Sequence, residues 1–218
     1  FDERTNLLTE PLPALLFAAL EAVTSGFRTD DLLRLMKTGL AGFSTHSVAL
    51  LENYVLMWRI DGRRWREEWT GNPNGLSVKA DDLSDKRLAY LNLLRRRLLR
   101  PLERLHASLF ASGADGEAFA RALYRYLIDV KADTLTRLRV ARLERAGEPA
   151  LADRMDRLWD TVMELLDRMA VSFRGTALPP LRFAGLLRMV AGLTDLGAVP
   201  QSMDAVQVGQ ADRIRLSA

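Results

Sequence analysis

Residues Ser84–Leu109 read SDKRLAYLNLLRRRLLRPLERLHASL, and they carry the clearest indication of the class of fold. Leucines recur at every third or fourth position along it, which is the spacing of one face of an α-helix. They are Leu88, Leu91, Leu94, Leu98, Leu102, Leu105 and Leu109. Ser84, with Asp85 behind it, suits the N-cap position, and Pro101 should kink the helix or divide it into two. We therefore predict a long amphipathic helical segment that packs against other helices.

The helical period recurs on both sides of this stretch. Gly26, Gly39 and Gly147 mark three of the predicted helix ends. The predicted helices are Leu15–Val23, Leu32–Leu40 with Thr29-Asp30-Asp31 as its cap and acidic first turn, a helix capped by Ser44, Asp115–Ala146, Pro149–Phe173 and Pro180–Leu196. The sequence therefore predicts a mainly α fold, an irregular multi-helix bundle.

Two segments depart from this period. Residues 61–84 are rich in turn residues, including Asn72-Pro73-Asn74-Gly75, and predict a long surface loop excursion with one short helix around Trp65 to Trp69. The apolar run Ala205-Val206-Gln207-Val208 follows Pro200 and predicts a C-terminal β-strand. Because a lone strand is not stable, we expect it to pair outside these 218 residues.

Composition excludes several classes of site. The 218 residues carry a net charge of +3, contain two His and contain no Cys. A disulfide scaffold, a thiolate zinc site, an iron–sulfur cluster and a cysteine nucleophile are therefore excluded within these residues. The lack of Cys fits a reducing cytoplasm, where we expect the protein to reside. The longest apolar stretch, Ala14–Leu20, is far short of the ~20 residues that span a bilayer, so we expect no membrane partner.

The sequence contains no recognisable catalytic, metal-binding or cofactor-binding motif. His46 and His106 stand alone, and Lys37-Thr38 lacks the glycines that a phosphate loop requires. The most clustered carboxylates lie among arginines, in a pattern typical of solvated helix faces: Glu67, Glu68, Asp153, Asp156 and Asp160. We predict no catalytic, cofactor-binding or metal-binding residue in this chain.

Two basic clusters are the candidate binding features. One combines Arg59, Arg63 and Arg64 with nearby tryptophans, of which Trp65 and Trp69 are better explained as core anchors than as base-stacking residues. The other is Arg96, Arg97, Arg100 and Arg104, which repeat at helical pitch. Such a row suits a phosphate backbone, whose counterions are released when arginines neutralise it. The alternative, a solvated helix face paired with acidic neighbours, remains open on spacing alone.

Three ordered segments resemble one family over nearly the whole chain. They are Lys37-Thr38-Gly39-Leu40 with Leu51-Glu52-Asn53-Tyr54-Val55-Leu56, then Tyr90–Leu102 with Asn92 and Arg95, and then Pro200–Gly209 with Asp212-Arg213-Ile214-Arg215. They resemble the AddB family (with its RexB relatives), the B subunits of the bacterial ATP-dependent helicase/deoxyribonuclease AddAB. Met203, Ala205 and Ile214 depart from the family pattern, and Ile214 replaces a polar residue. Arg213 and Arg215 join the candidate DNA-binding residues.

The resemblance carries expectations about domains and function. It implies a segment of a longer protein, in which 1–200 is a helical insertion of the second helicase-like lobe and 201–218 is a strand returning to that lobe. The parent family implies ATP, Mg²⁺ and a 4Fe-4S cluster elsewhere in the chain, DNA as substrate, an AddA-like partner in a heterodimer, and a role in recombinational repair of double-strand breaks. For these residues we predict a non-catalytic part that supplies a DNA-handling or subunit-contact surface; the alternative is a purely structural interaction module.

Overall fold

The structure is a computed structural model that describes residues 7–75, 77, 79 and 81–194. Within these residues the chain forms eight α-helices and two short 3-10 helices, Leu7–Thr9 and Gly62–Trp65. The α-helices are α1 (Pro11–Thr24), α2 (Thr29–Lys37), α3 (Thr45–Met57), α4 (Asp82–Leu109), α5 (Gly116–Asp129), α6 (Ala132–Arg145), α7 (Pro149–Ser172) and α8 (Pro180–Leu193). The described part contains no β-strand, only one isolated antiparallel bridge between Asp115 and Ala177. The predicted mainly α fold is confirmed.

Helix α1 lies at the centre of the bundle. It begins at Pro11, where a missing N–H costs no helical hydrogen bond. Ten of its 14 residues are buried, and it packs against α2, α4, α7 and α8. A helix that is apolar on almost every side has to be enclosed by others, so α1 organises the core around which the remaining helices pack.

The start of α2 differs from the prediction. Thr29 is the first helical residue and Arg28 occupies the N-cap position without a side-chain cap. The amide of Thr29 instead donates to the carboxylate of Asp61 at 2.8 Å, and the Thr29 hydroxyl accepts from the indole N–H of Trp65 at 2.9 Å. A residue distant in sequence therefore accepts a hydrogen bond from one of the free backbone N–H groups at the start of this helix. By contrast, Ser44 caps α3 as predicted, accepting from the amide of Ser47 at 3.1 Å.

Residues 61–75 form the predicted loop excursion, in which most residues are exposed or half-buried, and two tryptophans anchor it to the core. Trp65 is fully buried and Trp69 almost so, which confirms both as core anchors. The short helix lies at Gly62–Trp65, earlier than predicted, and is of the 3-10 type. The Trp69 ring stacks on Tyr54 with 4.9 Å between ring centroids. Turn residues such as Gly71 predict a loop correctly, but they do not reveal that large aromatic side chains fix it.

Helix α4 runs unbroken from Asp82 to Leu109. It begins two residues before Ser84, because Asp81 is the N-cap and Ser84 completes a reciprocal capping box. Pro101 does not divide the helix; it is buried within it. Of the two predicted effects of Pro101, division is wrong, because packing of the leucine stripe on both sides of Pro101 outweighs the lost hydrogen bond to the Arg97 carbonyl; a kink stays a prediction.

The predicted helix Asp115–Ala146 is two helices. Lys131 adopts a left-handed conformation, with φ 58° and ψ 36°, between the end of α5 and the start of α6. Helix α5 packs against α4 and α7, whereas α6 packs mainly against α7. The turn at Lys131 allows this change of neighbours, and neither Gly nor Pro marks it.

The C-terminal helices follow the sequence pattern closely. Helix α7 matches the predicted Pro149–Phe173 to within one residue, and α8 ends at Leu193. Leu196 and the predicted strand Ala205–Val208 lie outside the described residues. None of the helices in the described part combines the length and the apolar character needed to cross a membrane.

Candidate nucleic-acid interface

The leucine stripe of α4 positions its arginines. Leu91, Leu98 and Leu102 face the core, so the opposite side of the helix is left for polar residues. Arg96, Arg100 and Arg104 follow one another at four-residue spacing on that exposed side, with Arg97 beside them. This is the row that the sequence predicts.

The arginine row forms one wall of an open groove of about 480 Å³, which we call the arginine groove. The other walls are Ala41, in the α2–α3 loop, and the junction between α5 and α6. The groove is lined by Ala41, Leu93, Arg96, Arg97, Arg100, Pro101, Arg104, Asp129, Val130 and Lys131. Five cationic side chains therefore face one carboxylate.

The four arginines of the row differ in their contacts. Arg97 donates to the Gly42 carbonyl at 2.7 Å and lies over the Phe43 ring, and Arg104 pairs with Asp129 at 3.0 Å. Arg96 and Arg100 are exposed and form no ion pair with any residue that the structure describes. Two guanidinium groups in the groove are thus free to bind an external anion.

The cluster Arg59, Arg63 and Arg64 does not line this groove. Arg64 donates to the carbonyls of Trp58 at 2.9 Å and Arg59 at 2.8 Å, so it closes the local turn. Arg63 is 89% exposed and lies 3.7 Å from Glu67. Arg59 is exposed, with φ 48°. The two predicted clusters therefore form separate surfaces, and Arg213 and Arg215 lie outside the described residues.

Arg95 belongs to the core although it stands beside the arginine row in sequence. Its Nη1 donates to the Trp65 carbonyl at 2.9 Å and its Nε donates to Asn92 Oδ1 at 3.1 Å. The Asn92 amide also exchanges two hydrogen bonds with the backbone of Trp69, at 3.0 and 2.8 Å. Burial lowers the pKa of Arg95, and nearby Arg96 lowers it further. We call these residues the Asn92–Arg95 network; it secures residues 65–69 to α4.

Sequence reasoning missed Lys131 as a groove residue. Its left-handed backbone places it at the α5–α6 junction, where it lines the arginine groove. A single Lys between two helical patterns carries no motif that identifies it. Only the division of the predicted helix brings it to the arginine row.

Other titratable groups in the described part do not assemble into a metal site. No group of three or more His, Cys, Asp or Glu residues is arranged to hold an ion there. His46 is exposed, and His106 lies 4.5 Å from Phe110 between ring centroids. Burial lowers the pKa of His106, and Arg66 adds to this effect. The five clustered carboxylates, Glu67, Glu68, Asp153, Asp156 and Asp160, are all exposed.

Comparison with known proteins gives one consistent result. The ATP-dependent helicase/deoxyribonuclease B subunit of Ruminiclostridium cellulolyticum is 25% identical over 218 residues, or 98% of this chain. Proteins of the same name from Desulforudis audaxviator and Geobacillus thermodenitrificans are 32% and 31% identical, over 98% and 99% of this chain. The AddB-family resemblance is confirmed.

The match to AddB-family subunits covers only part of each relative. The chain spans about a fifth of their length, 19% of the first two and 20% of the third. No family model matches the sequence. The relatives' name thus describes proteins about five times longer than this chain.

Proposed function

We propose that this chain is a non-catalytic, helical part of an AddB-like subunit of an ATP-dependent helicase/deoxyribonuclease, and that its arginine groove binds the phosphate backbone of DNA. The observation that carries DNA contact is the pair Arg96 and Arg100. These exposed guanidinium groups lie one helical turn apart, and neither has an acidic partner among the described residues.

The charge of the groove supports this proposal. Five cations and one carboxylate line it, and Arg104 already neutralises that carboxylate. Guanidinium groups bind phosphate oxygens in a bidentate manner, and each phosphate contact releases condensed counterions. Arg97 is held by the Gly42 carbonyl, so part of the groove is ordered before a ligand arrives.

The name of the relatives supports a wider proposal for the whole protein. We propose that it processes DNA double-strand breaks for recombinational repair in the cytoplasm, together with an AddA-like subunit, using ATP and Mg²⁺. Residues 1–200 would form the helical insertion of a helicase-like lobe, and 201–218 would return the chain to that lobe. Because these 218 residues contain no Cys, a 4Fe-4S cluster would be held by cysteines outside them.

A purely structural interaction module is the second candidate function. This function is favoured by three arginines that already have partners within the chain. Arg64 and Arg97 donate hydrogen bonds to backbone carbonyls, and Arg104 forms an ion pair with Asp129. In that case Arg96 and Arg100 would face acidic side chains of another protein surface, such as the partner subunit.

Fluorescence anisotropy separates the two functions. Labelled forked and blunt duplex DNA is titrated with the chain at several salt concentrations. For DNA contact we expect affinity that falls steeply with salt, and a slope reduced by about 2 in the double variant Arg96→Ala, Arg100→Ala. The matched control is Arg157→Ala with Arg168→Ala, which removes the same charge from α7, a helix that packs against α5 and α6.

The control variant is expected to bind as the wild type does. Absence of binding even at low salt, or equal losses in the two double variants, would contradict DNA contact by the groove. Binding of the AddA-like subunit that the groove variant alone weakens would then support the structural function.

A further inference from the structure

The positive charge of the arginine groove continues beyond Lys131. Helix α6 begins at the next residue, and its side chains at three- or four-residue spacing share one face. Starting from Lys131, this face carries Leu135, Leu138, Arg139, Arg142 and Arg145. All four basic residues of the series are exposed. We call this face the α6 arginine face.

Two close approaches place the α6 arginine face beside the groove. The Cβ position of Gly42 lies 4.0 Å from Leu135 Cδ1 and 3.1 Å from Arg97 Nη2. The Cβ position of Gly39 lies 3.8 Å from Arg139 Nη1. The α2–α3 loop therefore touches α4 and α6 together, and the two basic surfaces meet along it.

The acidic residues of α6 lie on its other side. Asp133 and Glu144 are eleven residues apart, which is about three helical turns, so they share a face. Asp133 forms an ion pair with Arg137 at 3.5 Å, so it is not an ion-pair partner of Arg139, Arg142 or Arg145. None of these three forms an ion pair with the residues that the structure describes.

We propose that the DNA path continues from the arginine groove along α6, with Lys131, Arg139, Arg142 and Arg145 contacting further phosphates of the same molecule. This inference rests on the proposed function. From Lys131 to Arg145 the path is about 21 Å long, at ~1.5 Å per residue, which equals the axial length of about six base pairs.

The chemistry of the α6 arginine face favours a nucleic acid over an acidic protein. The anchors of stable protein interfaces are most often Trp, Tyr or Arg side chains that pack into fully desolvated pockets, and apolar neighbours help to exclude water from them. Among the described large apolar side chains of α6, only Leu138 is strongly exposed, at 57%, so the α6 arginine face itself offers a single apolar anchor. Arg139, Arg142 and Arg145 recur at three-residue spacing, with Lys131 about two turns earlier, and such a series of cations suits the regular charge of a phosphate backbone instead.

The test measures the salt dependence of binding to a 20-base-pair labelled duplex. In the triple variant Arg139→Gln, Arg142→Gln, Arg145→Gln, we expect the slope of log affinity against log salt to fall by about 2 to 3. The corresponding triple Lys variant keeps the charges and should keep the slope. A matched control, Arg121→Gln, Arg157→Gln, Arg168→Gln, removes three exposed charges from α5 and α7. Circular dichroism verifies that each variant is helical.

The outcomes separate this inference from the proposed function. A reduced slope in the α6 triple Gln variant, with the Lys and control variants unchanged, supports the extended path. If the Arg96/Arg100 variant loses slope and the α6 triple Gln variant does not, the extended path is wrong and the groove remains. If the wild type does not bind DNA, both proposals fail. If the control triple variant loses as much slope as the α6 variant, net charge explains the effect and the path is overturned.

Discussion

Two sides of helix α4 use arginine in opposite ways. Arg95 is 6% exposed and donates hydrogen bonds to a backbone carbonyl and to Asn92. Arg96, the next residue, is exposed in the arginine groove and has no ion pair within the described part. The 100° rotation between successive helical residues separates a structural guanidinium from one that is free to bind a ligand.

The neighbouring elements, and not the basic run itself, assign each arginine its role. Residues 65–69 cover Arg95, and the Trp65 carbonyl accepts a hydrogen bond from it. The α2–α3 loop covers only Arg97 and leaves the centre of the groove open. A guanidinium enclosed by acceptors stabilises the fold, whereas one that faces solvent contributes little to stability and can bind an anion.

The two sides of α4 should differ most in stability when Arg95→Met is compared with Arg96→Met. Arg95→Met removes two charge-assisted hydrogen bonds and leaves the Trp65 carbonyl buried, so the free energy of unfolding should fall by about 2–4 kcal/mol. Arg96→Met should change it by less than about 0.5 kcal/mol. Urea unfolding followed by tryptophan fluorescence measures both values. Equal losses in the two variants would show that the two sides of α4 do not differ in this way.

A smaller effect compares two glycines, one on each side of α4. A Cβ on Gly71 would lie 2.4 Å from the Trp58 indole, so Gly71→Ala should destabilise the fold by about 1–3 kcal/mol. A Cβ on Gly42 would lie 3.1 Å from Arg97 Nη2, and its φ of +77° adds about 1 kcal/mol or more for alanine. Urea unfolding measures both losses.

The same two glycine variants also sharpen the functional contrast. Gly42→Ala disturbs a groove wall and the position of Arg97, so it should weaken DNA binding measured by anisotropy. Gly71→Ala, measured below its unfolding transition, should bind DNA as the wild type does. The reverse order of affinities would place the DNA contact on the Trp58 side of the molecule.

The sequence predicts most helices because leucine spacing and capping residues are local signals. The stripe from Leu88 to Leu109 and the Ser44 cap are of this kind. The split at Lys131 has no local signal, since it depends on which helices α5 and α6 pack against. For the same reason the capping of α2 by Asp61, 32 residues away, is not visible in sequence.

The candidate site was predictable in part. Helical pitch alone places Arg96, Arg100 and Arg104 on one face, and the structure has them lining one groove. Clustered positive charge also predicts Arg64 as a DNA-binding residue, but its guanidinium donates to two backbone carbonyls and closes a turn instead. Whether an arginine is free depends on carbonyl and carboxylate neighbours that come from distant segments, so charge spacing cannot separate the two cases.

The smallest effect concerns His106, on the side of α4 that contacts Phe27. Its pKa is lowered by burial and by Arg66, with Glu103 opposing. The ordinary pKa of histidine is about 6.5, and in the folded chain the pKa of His106 is lower. As the pH falls, the unfolded chain therefore binds a proton at this histidine before the folded chain does. The free energy of unfolding should fall as pH drops from about 7 towards the lowered pKa of the folded state.

Urea unfolding at several pH values should show a shallower fall for His106→Gln than for the wild type. His46→Gln, which removes an exposed histidine from α3, should leave the contribution of His106 in place. If the fall in the free energy of unfolding disappears in His46→Gln and persists in His106→Gln, the assignment to His106 is wrong.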